Sequence, residues 1–473
     1  MRSLLSRLSP EQSIVPAAAL LIIALFTPVI VRGAPLADDF HNCLAPIHLG
    51  LGDFLAESWD RLGMVRLARF PEILLTTGVC RRLPFAFAIA VPASLSIAVA
   101  FALVGLLRDQ GLRPPWPQLG GVVWLLQPLG TESALWPAAL HVPLGLLLTL
   151  GALRFHRRGR HGSGVAATLG AFFSVEQIIL VFPVAVWFTC RGRERRRAVA
   201  LTLGVLVVII VLFTVWHGDD PRLQDGLAER LTAPAADPSF IFRFAGVGLG
   251  AHSIPLASYW AFPASVLLLL GGATMGWVLG PRIAAAPQSR SAALRPTLLA
   301  AAVLIVLANV PVVFSVQQQG SPRVFGPTWL ILAAIVPMVL GGRSWSSNRL
   351  LWAGGGLFVV GALLSLVLSV SVRVRSADFV EYATDRIARD APEKADVALC
   401  GVRRTVVDPA PRGAFAIHEF VYDWAARDAL RYYTGNRATF RLAGELWPRP
   451  CPGSVQVDRR FDFDRLVQDW SRP

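Results

Sequence analysis

Lysine is almost missing from this chain: Lys394 is the only one, and arginine carries the rest of the positive charge. Charge of either sign is scarce, at 16% of 473 residues, where soluble globular chains carry roughly 25%. The sequence also lacks a P-loop, a glycine-rich dinucleotide turn, a CxxC pair and an HExxH pair. Nucleotide-driven transport by this chain alone is therefore not expected, and neither is a nucleotide cofactor. Internal repeats and low-complexity segments are absent as well. The net charge of +14 does not point to a nucleic-acid partner, because the arginines cluster in short segments between apolar runs.

Apolar residues fill the space that charge vacates. They make up 54% of the chain, with a mean hydropathy of +0.53. Uninterrupted runs recur, for example at 13–31, 198–216 and 350–372. Each can cross about 30 Å of hydrocarbon at about 1.5 Å per residue. The chain reads as integral to a membrane. Its first run exceeds the roughly 7–15 apolar residues of a cleaved signal, and Arg32 follows without a clean small-residue cleavage site, so it reads as a retained anchor.

Arginine-rich short loops belong on the cytoplasmic side, which gives an orientation. Arg2 and Arg7 place the N-terminus inside, and the first span emerges near Arg32 into an acidic outer loop, 34–83. The second span, 84–107, returns to Arg108 and Arg113, and 118–153 holds two more, broken near Gly130 to Ser133. The stretch 164–190 has basic clusters on both sides, at 154–161 and 191–197. A single crossing would put one of them outside. Two short helices turning near 174–177 keep both inside, as a cavity wall where protein covers the loose backbone. Spans at 198–216, 256–279, 297–314, 324–340 and 350–372 complete about eleven, with the C-terminus outside.

The outer compartment permits disulfides. This threading puts Cys43 and Cys80 in the first outer loop and Cys400 and Cys451 beyond the last span, leaving Cys190 at the inner face. Bridges Cys43–Cys80 and Cys400–Cys451 are the expected pairs. The predicted division is a multi-span unit, 1–372, and an extracytoplasmic unit, 373–473. In the second, a strand at 397–402, a helix at 423–433 and a strand at 439–442 predict a small α/β domain. The fold class is thus an all-α polytopic bundle with a C-terminal α/β domain.

Asp38 and Asp39 stand just beyond the first span. Adjacent carboxylates at a membrane face are costly to desolvate unless a cation, a proton or a hydrogen-bond donor meets them. They can take a proton from an attacking hydroxyl, hold a divalent metal, or simply begin a solvated loop. His41 follows, without metal-site spacing, and reads first as a polar turn residue. Arg61, Arg66, Arg69, Arg81 and Arg82 lie in the same outer loop, against the charge rule. An interfacial amphipathic helix using Trp59, Leu62, Val65, Leu67 and Phe70 would bring them to lipid phosphates.

A first span ending at an acidic pair, a long amphipathic outer loop, about eleven spans and an outer C-terminal domain together resemble the GT-C glycosyltransferases. So do Gly130-Thr-Glu-Ser-Ala-Leu-Trp-Pro137 and Phe173-Ser-Val-Glu-Gln177, which are similar to the family's short outer turns. The likeness covers roughly 1–372 and rests on layout and short motifs. Its acidic pair is Asp-Asp where Asp-Glu is usual, so subfamily and metal use stay open. The resemblance implies sugar transfer from a polyprenyl-phosphate carrier to an extracytoplasmic lipid or glycan acceptor at the inner (plasma) membrane. It implies Asp38 as base with Asp39 assisting. Glu132 and Glu176 would meet the acceptor or merely cap helices, and Arg323 would hold the donor's phosphate. Two other classes remain in view: a transporter or flippase for a polyisoprenoid or solute, and a non-catalytic envelope-assembly protein.

Overall fold

The computed structural model of the protein describes residues 10–35, 38–62, 69–126, 130–175, 177–215, 261–284, 294–313, 326–340, 349–391, 396–400, 405–407, 414–416, 423–433, 441–442 and 459–471. In chain order the first helices are α1 (Pro10–Arg32), α2 (Asp38–Leu49), α3 (Leu51–Leu62), α4 (Arg69–Arg82), α5 (Ala86–Asp109), α6 (Trp116–Leu125) and α7 (Gly130–Leu135). A 3-10 turn at Pro137–Ala139 leads to α8 (His141–Arg157), α9 (His161–Ser174), α10 (Ile178–Thr189) and α11 (Gly192–Val215). Then come α12 (Ala261–Ala284), α13 (Leu294–Val313), α14 (Gly326–Leu340) and α15 (Arg349–Asp390). The tail holds β1 (Asp396–Cys400), β2 (Thr405–Val407), β3 (Ala414–Ala416), α16 (Asp423–Tyr433), β4 (Arg441–Leu442), β5 (Arg459–Asp462) and α17 (Phe463–Ser471).

Among the described residues, four helices are long and apolar enough to cross a membrane: Ser13–Arg32, Ala86–Asp109, Pro137–Arg157 and Trp352–Asp390. Shorter apolar helices run at Ile178–Thr189, Leu270–Leu279, Leu299–Asn309 and Gly326–Leu340. Helix α1 shows the pattern. Val15, Ala19, Ile22, Phe26 and Val29 are buried at alternating steps of four and three, one seam of a 3.6-residue period. Ile14, Leu20, Leu21, Ile23 and Val31 on its other faces are exposed. A helix apolar all round belongs in a large core or a bilayer. The helix stops at Gly33, whose φ of +59° suits glycine, and a Cβ there would lie 3.2 Å from the Ala86 nitrogen.

Polar contacts sort the helix ends into two groups. At one end Arg154 Nε donates to Asp109 Oδ2 at 2.8 Å, and Arg157 Nη1 and Gln110 Nε2 donate to the Thr189 carbonyl at 2.9 and 3.2 Å. His161, opening α9, pairs with Glu194 at the start of α11. Hence α9 leaves this end and α10 returns to it, with the break at 175–177 where the flanking charges place it. Both basic clusters lie together here. Arg154 fits because Gly105 has no side chain: a Cβ there would stand 2.7 Å from its Nη1.

At the other end Arg32 pairs with Asp378 and Glu381 of α15. Glu72, in the first turn of α4, meets His141 at the start of α8. The 24 residues of α5 separate the two ends by about 36 Å. Between them the core closes around buried indoles: Trp124 Nε1 donates to the Ser96 carbonyl at 2.8 Å and Trp329 Nε1 to that of Val123 at 3.0 Å. Helices α12 and α15 cross backbone to backbone. A Cβ on Gly272 would lie 2.7 Å from the Gly356 carbonyl oxygen, and one on Gly276 would collide with the Trp352 carbonyl. This is close packing through small residues, as membrane helices use it.

Helix α15 does not stop at 372. Its 42 residues run about 63 Å, roughly twice a bilayer's hydrocarbon thickness. The distal half carries a second core, in which Phe379, Val380, Ala383 and Ile387 pack on Val397, Leu399, Ala429, Leu430, Phe461 and Leu466. Strand β1 is central in a parallel order β4-β1-β5, with α16 in the crossover from β1 to β4, and β2 and β3 form an antiparallel pair.

Candidate functional site

Helix α2 is wedged between the two cores. Phe40 is fully buried in the second core, in edge contact with Tyr432 at 5.4 Å and tilted on Tyr433 at 5.8 Å. Cys43, one turn on, belongs to the first core and is bonded to Cys80 of α4, with Cα atoms 5.6 Å apart. The bridge sets α2 beside α4. Thr77 Oγ1 of α4 donates to the Asn42 carbonyl at 2.9 Å, and Thr76 Oγ1 donates to the Glu72 carbonyl at 2.9 Å.

Two fully buried carboxylates mark this junction. Asp39 is 0% exposed, and its Oδ1 accepts the Ala138 N–H at 3.0 Å. Glu72 is also 0% exposed, with Oε2 3.1 Å from His141 Nδ1. The acids come from different helices yet reach the same short segment, 138–141, which the 3-10 turn presents. Proline at 137 starts that turn. Both acids stand in the first turn of a helix, where backbone N–H groups point toward them. Removing a carboxylate from water costs several kcal/mol unless hydrogen bonds or charges compensate, and the Ala138 N–H and His141 supply part of that compensation here.

The second core supplies the other wall. His41 Nδ1 lies 3.2 Å from Asp428 Oδ2 of α16, and its ring meets Phe54 edge-on at 5.6 Å. Burial, and then the negative charge of Asp39, push the Tyr432 phenol above its ordinary range, so it stays a neutral O–H at neutral pH. Asn42 is 4% exposed, and its Nδ2 has no hydrogen-bond partner among the described residues.

Of the residues singled out from sequence, Asp39 and His41 sit in this cluster. Asp38 opens α2 and Glu132 lies in α7, but their side chains fall outside those described, and Glu176 and Arg323 lie outside the described residues. Cys400 is disulfide-bonded, with its partner outside the described residues, as Cys451 also is. Of the aromatic stretch 59–70, Trp59 and Leu62 end α3 and Phe70 begins α4, while Val65 and Leu67 are outside the described residues. Sequence reasoning passed over Glu72, His141, Asn42, Asp428 and Tyr432. One local signal was there: Pro71-Glu72, a proline and an acid at a helix start. Among the described residues no three of His, Cys, Asp and Glu converge to hold a metal ion. Comparison of the chain with family models, with curated proteins and with solved structures gives no match.

Proposed function

We propose that this chain is an integral-membrane glycosyltransferase that moves a sugar from a polyprenyl-phosphate carrier to an extracytoplasmic lipid or glycan acceptor, with inversion. The observation that carries it is the pair of fully buried carboxylates, Asp39 and Glu72, in an enclosed polar junction next to the end of the first apolar helix. Sugar transfer needs an acid-lined, water-poor site at a lipid boundary, and two buried carboxylates beside the end of an apolar helix support that reading.

In this reading about eleven spans cross the inner membrane, the basic end is cytoplasmic, and the junction and the C-terminal α/β domain face outward. The acceptor hydroxyl oxygen attacks the anomeric carbon opposite the phosphate. The carbon–oxygen bond to the phosphate breaks, and the polyprenyl phosphate leaves with the electron pair. The hydroxyl proton passes to Asp38, the base. Asp39 assists by anchoring the 138–141 segment through the Ala138 N–H. Arg323 meets the leaving phosphate, for which guanidinium geometry is suited. The distribution of charge favours this over a transporter. In Ser13–Arg32 and Ala86–Asp109 the charged side chains, Arg32, Arg108 and Asp109, stand at the span ends. Ion-coupled carriers place theirs at mid-span.

Membranes supplied with radiolabelled polyprenyl-phosphate sugars test the reading. Asp38→Asn lowers label transfer by about 10²–10⁴-fold with normal membrane insertion, and Asp39→Asn lowers it less. Unchanged transfer in Asp38→Asn rejects that base. Absence of transfer by the wild type from every polyprenyl-linked sugar rejects the class.

A further inference from the structure

Asn42 has a place in the junction that packing alone does not explain. It follows Asp39 by three residues, so the two share one face of α2. It is 4% exposed, and its Nδ2 lacks an acceptor among the described residues although its own carbonyl is taken by Thr77. Native proteins leave few buried amide donors unmet, and those that persist call for an explanation. Fully buried polar residues flank this position on both helices: Asp39 on the same face of α2, and Glu72 and Thr76 on α4, which Thr77 ties to the Asn42 carbonyl.

The chemistry of this set selects its ligand. A phosphate or other anion would satisfy the amide but would be repelled by two buried carboxylates. A metal cation or an ammonium group suits the charge of the carboxylates but offers nothing to an N–H donor. A neutral polyol meets both, since its hydroxyls donate to the carboxylates and its oxygens accept from the amide. We propose that Asn42 is a specificity-determining residue, donating from Nδ2 to a sugar oxygen in a subsite formed by Asp39, Asn42, Glu72 and Thr76, with His141 fixing Glu72. The proposal rests on the glycosyl-transfer reading and assigns the sugar, not the phosphate, to this part of the junction.

Thermal unfolding of the purified full-length protein tests it, with a panel of methyl glycosides and with inorganic phosphate as probes. In the wild type at least one glycoside raises Tm and phosphate at equal ionic strength does not. Asn42→Leu removes the unmet donor at similar volume, so its ligand-free Tm equals or exceeds that of the wild type, and the glycoside shift is lost. Asn42→Asp keeps the shape without the donor and loses the same shift, which covers a failure of leucine to pack. A glycoside shift retained in both variants overturns the proposal, as does a lower ligand-free Tm in Asn42→Leu, a response to phosphate alone, or no glycoside response in the wild type. The two readings fail separately. Label transfer without a glycoside shift leaves the reaction standing and removes the subsite, whereas an Asn42-dependent shift without transfer keeps the subsite and removes the reaction.

Discussion

At the scale of single residues, the junction is a set of polar groups that each need a partner from a different helix. Asp39 reaches a backbone N–H of the 137–139 turn, and Glu72 reaches His141, 69 positions along the chain. Tyr432 registers the charge of Asp39 from the opposite wall. Burial is the larger cause of its raised pKa and the anion the smaller, and both oppose forming a phenolate. Asp39→Asn should therefore move the Tyr432 titration part of the way down toward 10, its ordinary value, and no further. The absorbance difference between Asp39→Asn proteins with and without Tyr432→Phe reads this, and an unmoved midpoint denies the coupling. The sign for stability follows from linkage: a phenol harder to ionise when folded leaves stability intact below about pH 10 and lowers it as pH rises further. Asp38 and Asp39 stood out in the sequence because adjacent carboxylates after an apolar run are rare, and of the two it is the Asp39 side chain that the structure describes in the junction. Glu72 was not, because nothing near it in sequence shows its histidine. The expected Cys43–Cys80 bridge held the missing step, since it sets 38–49 against 69–82 and so brings Glu72 to Asp39.

At the scale of elements, α2 depends on its covalent tie to α4. The bridge closes a loop with a sequence separation of 37, for which removal costs about 2–4 kcal/mol. Cys43→Ser with Cys80→Ser should lower Tm and reduce label transfer together, because the same contact aligns the Asp39 face with Glu72. A fall in Tm with full transfer would show that the alignment survives without the bridge. The crossing of α12 and α15 gives a sharper contrast. Gly272→Leu forces side-chain atoms against the Gly356 backbone and should destabilise by about 1–3 kcal/mol or more, whereas Gly354→Ala enters open space and should be neutral. Equal Tm values for the two would contradict this packing. The break at 175–177 was legible from charge, because no single crossing tolerates arginine clusters on both flanks. The length of α15 was not. Arg373, Arg375 and Asp378 end the apolar run at 372, but none of them breaks a helix, so the backbone continues to Asp390.

At the scale of the whole molecule, two ends of opposite character lie about 36 Å apart along α5. One gathers Asp109, Arg154, Arg157, Arg158, His161 and Glu194. The other gathers Arg32, Asp39, Glu72, His141 and the second core. Glycosyl transfer from a lipid carrier outside the cell requires that these ends face different compartments, with the acidic junction outward. Added cysteines report this directly, since Asp385, one turn beyond the Glu381 that pairs with Arg32, and Arg193 in the basic cluster are both exposed. In intact cells a membrane-impermeant maleimide should label Asp385→Cys at once and Arg193→Cys only after the membrane is opened. Labelling of Arg193→Cys in intact cells, with Asp385→Cys protected, would place the junction in the cytoplasm and contradict the account.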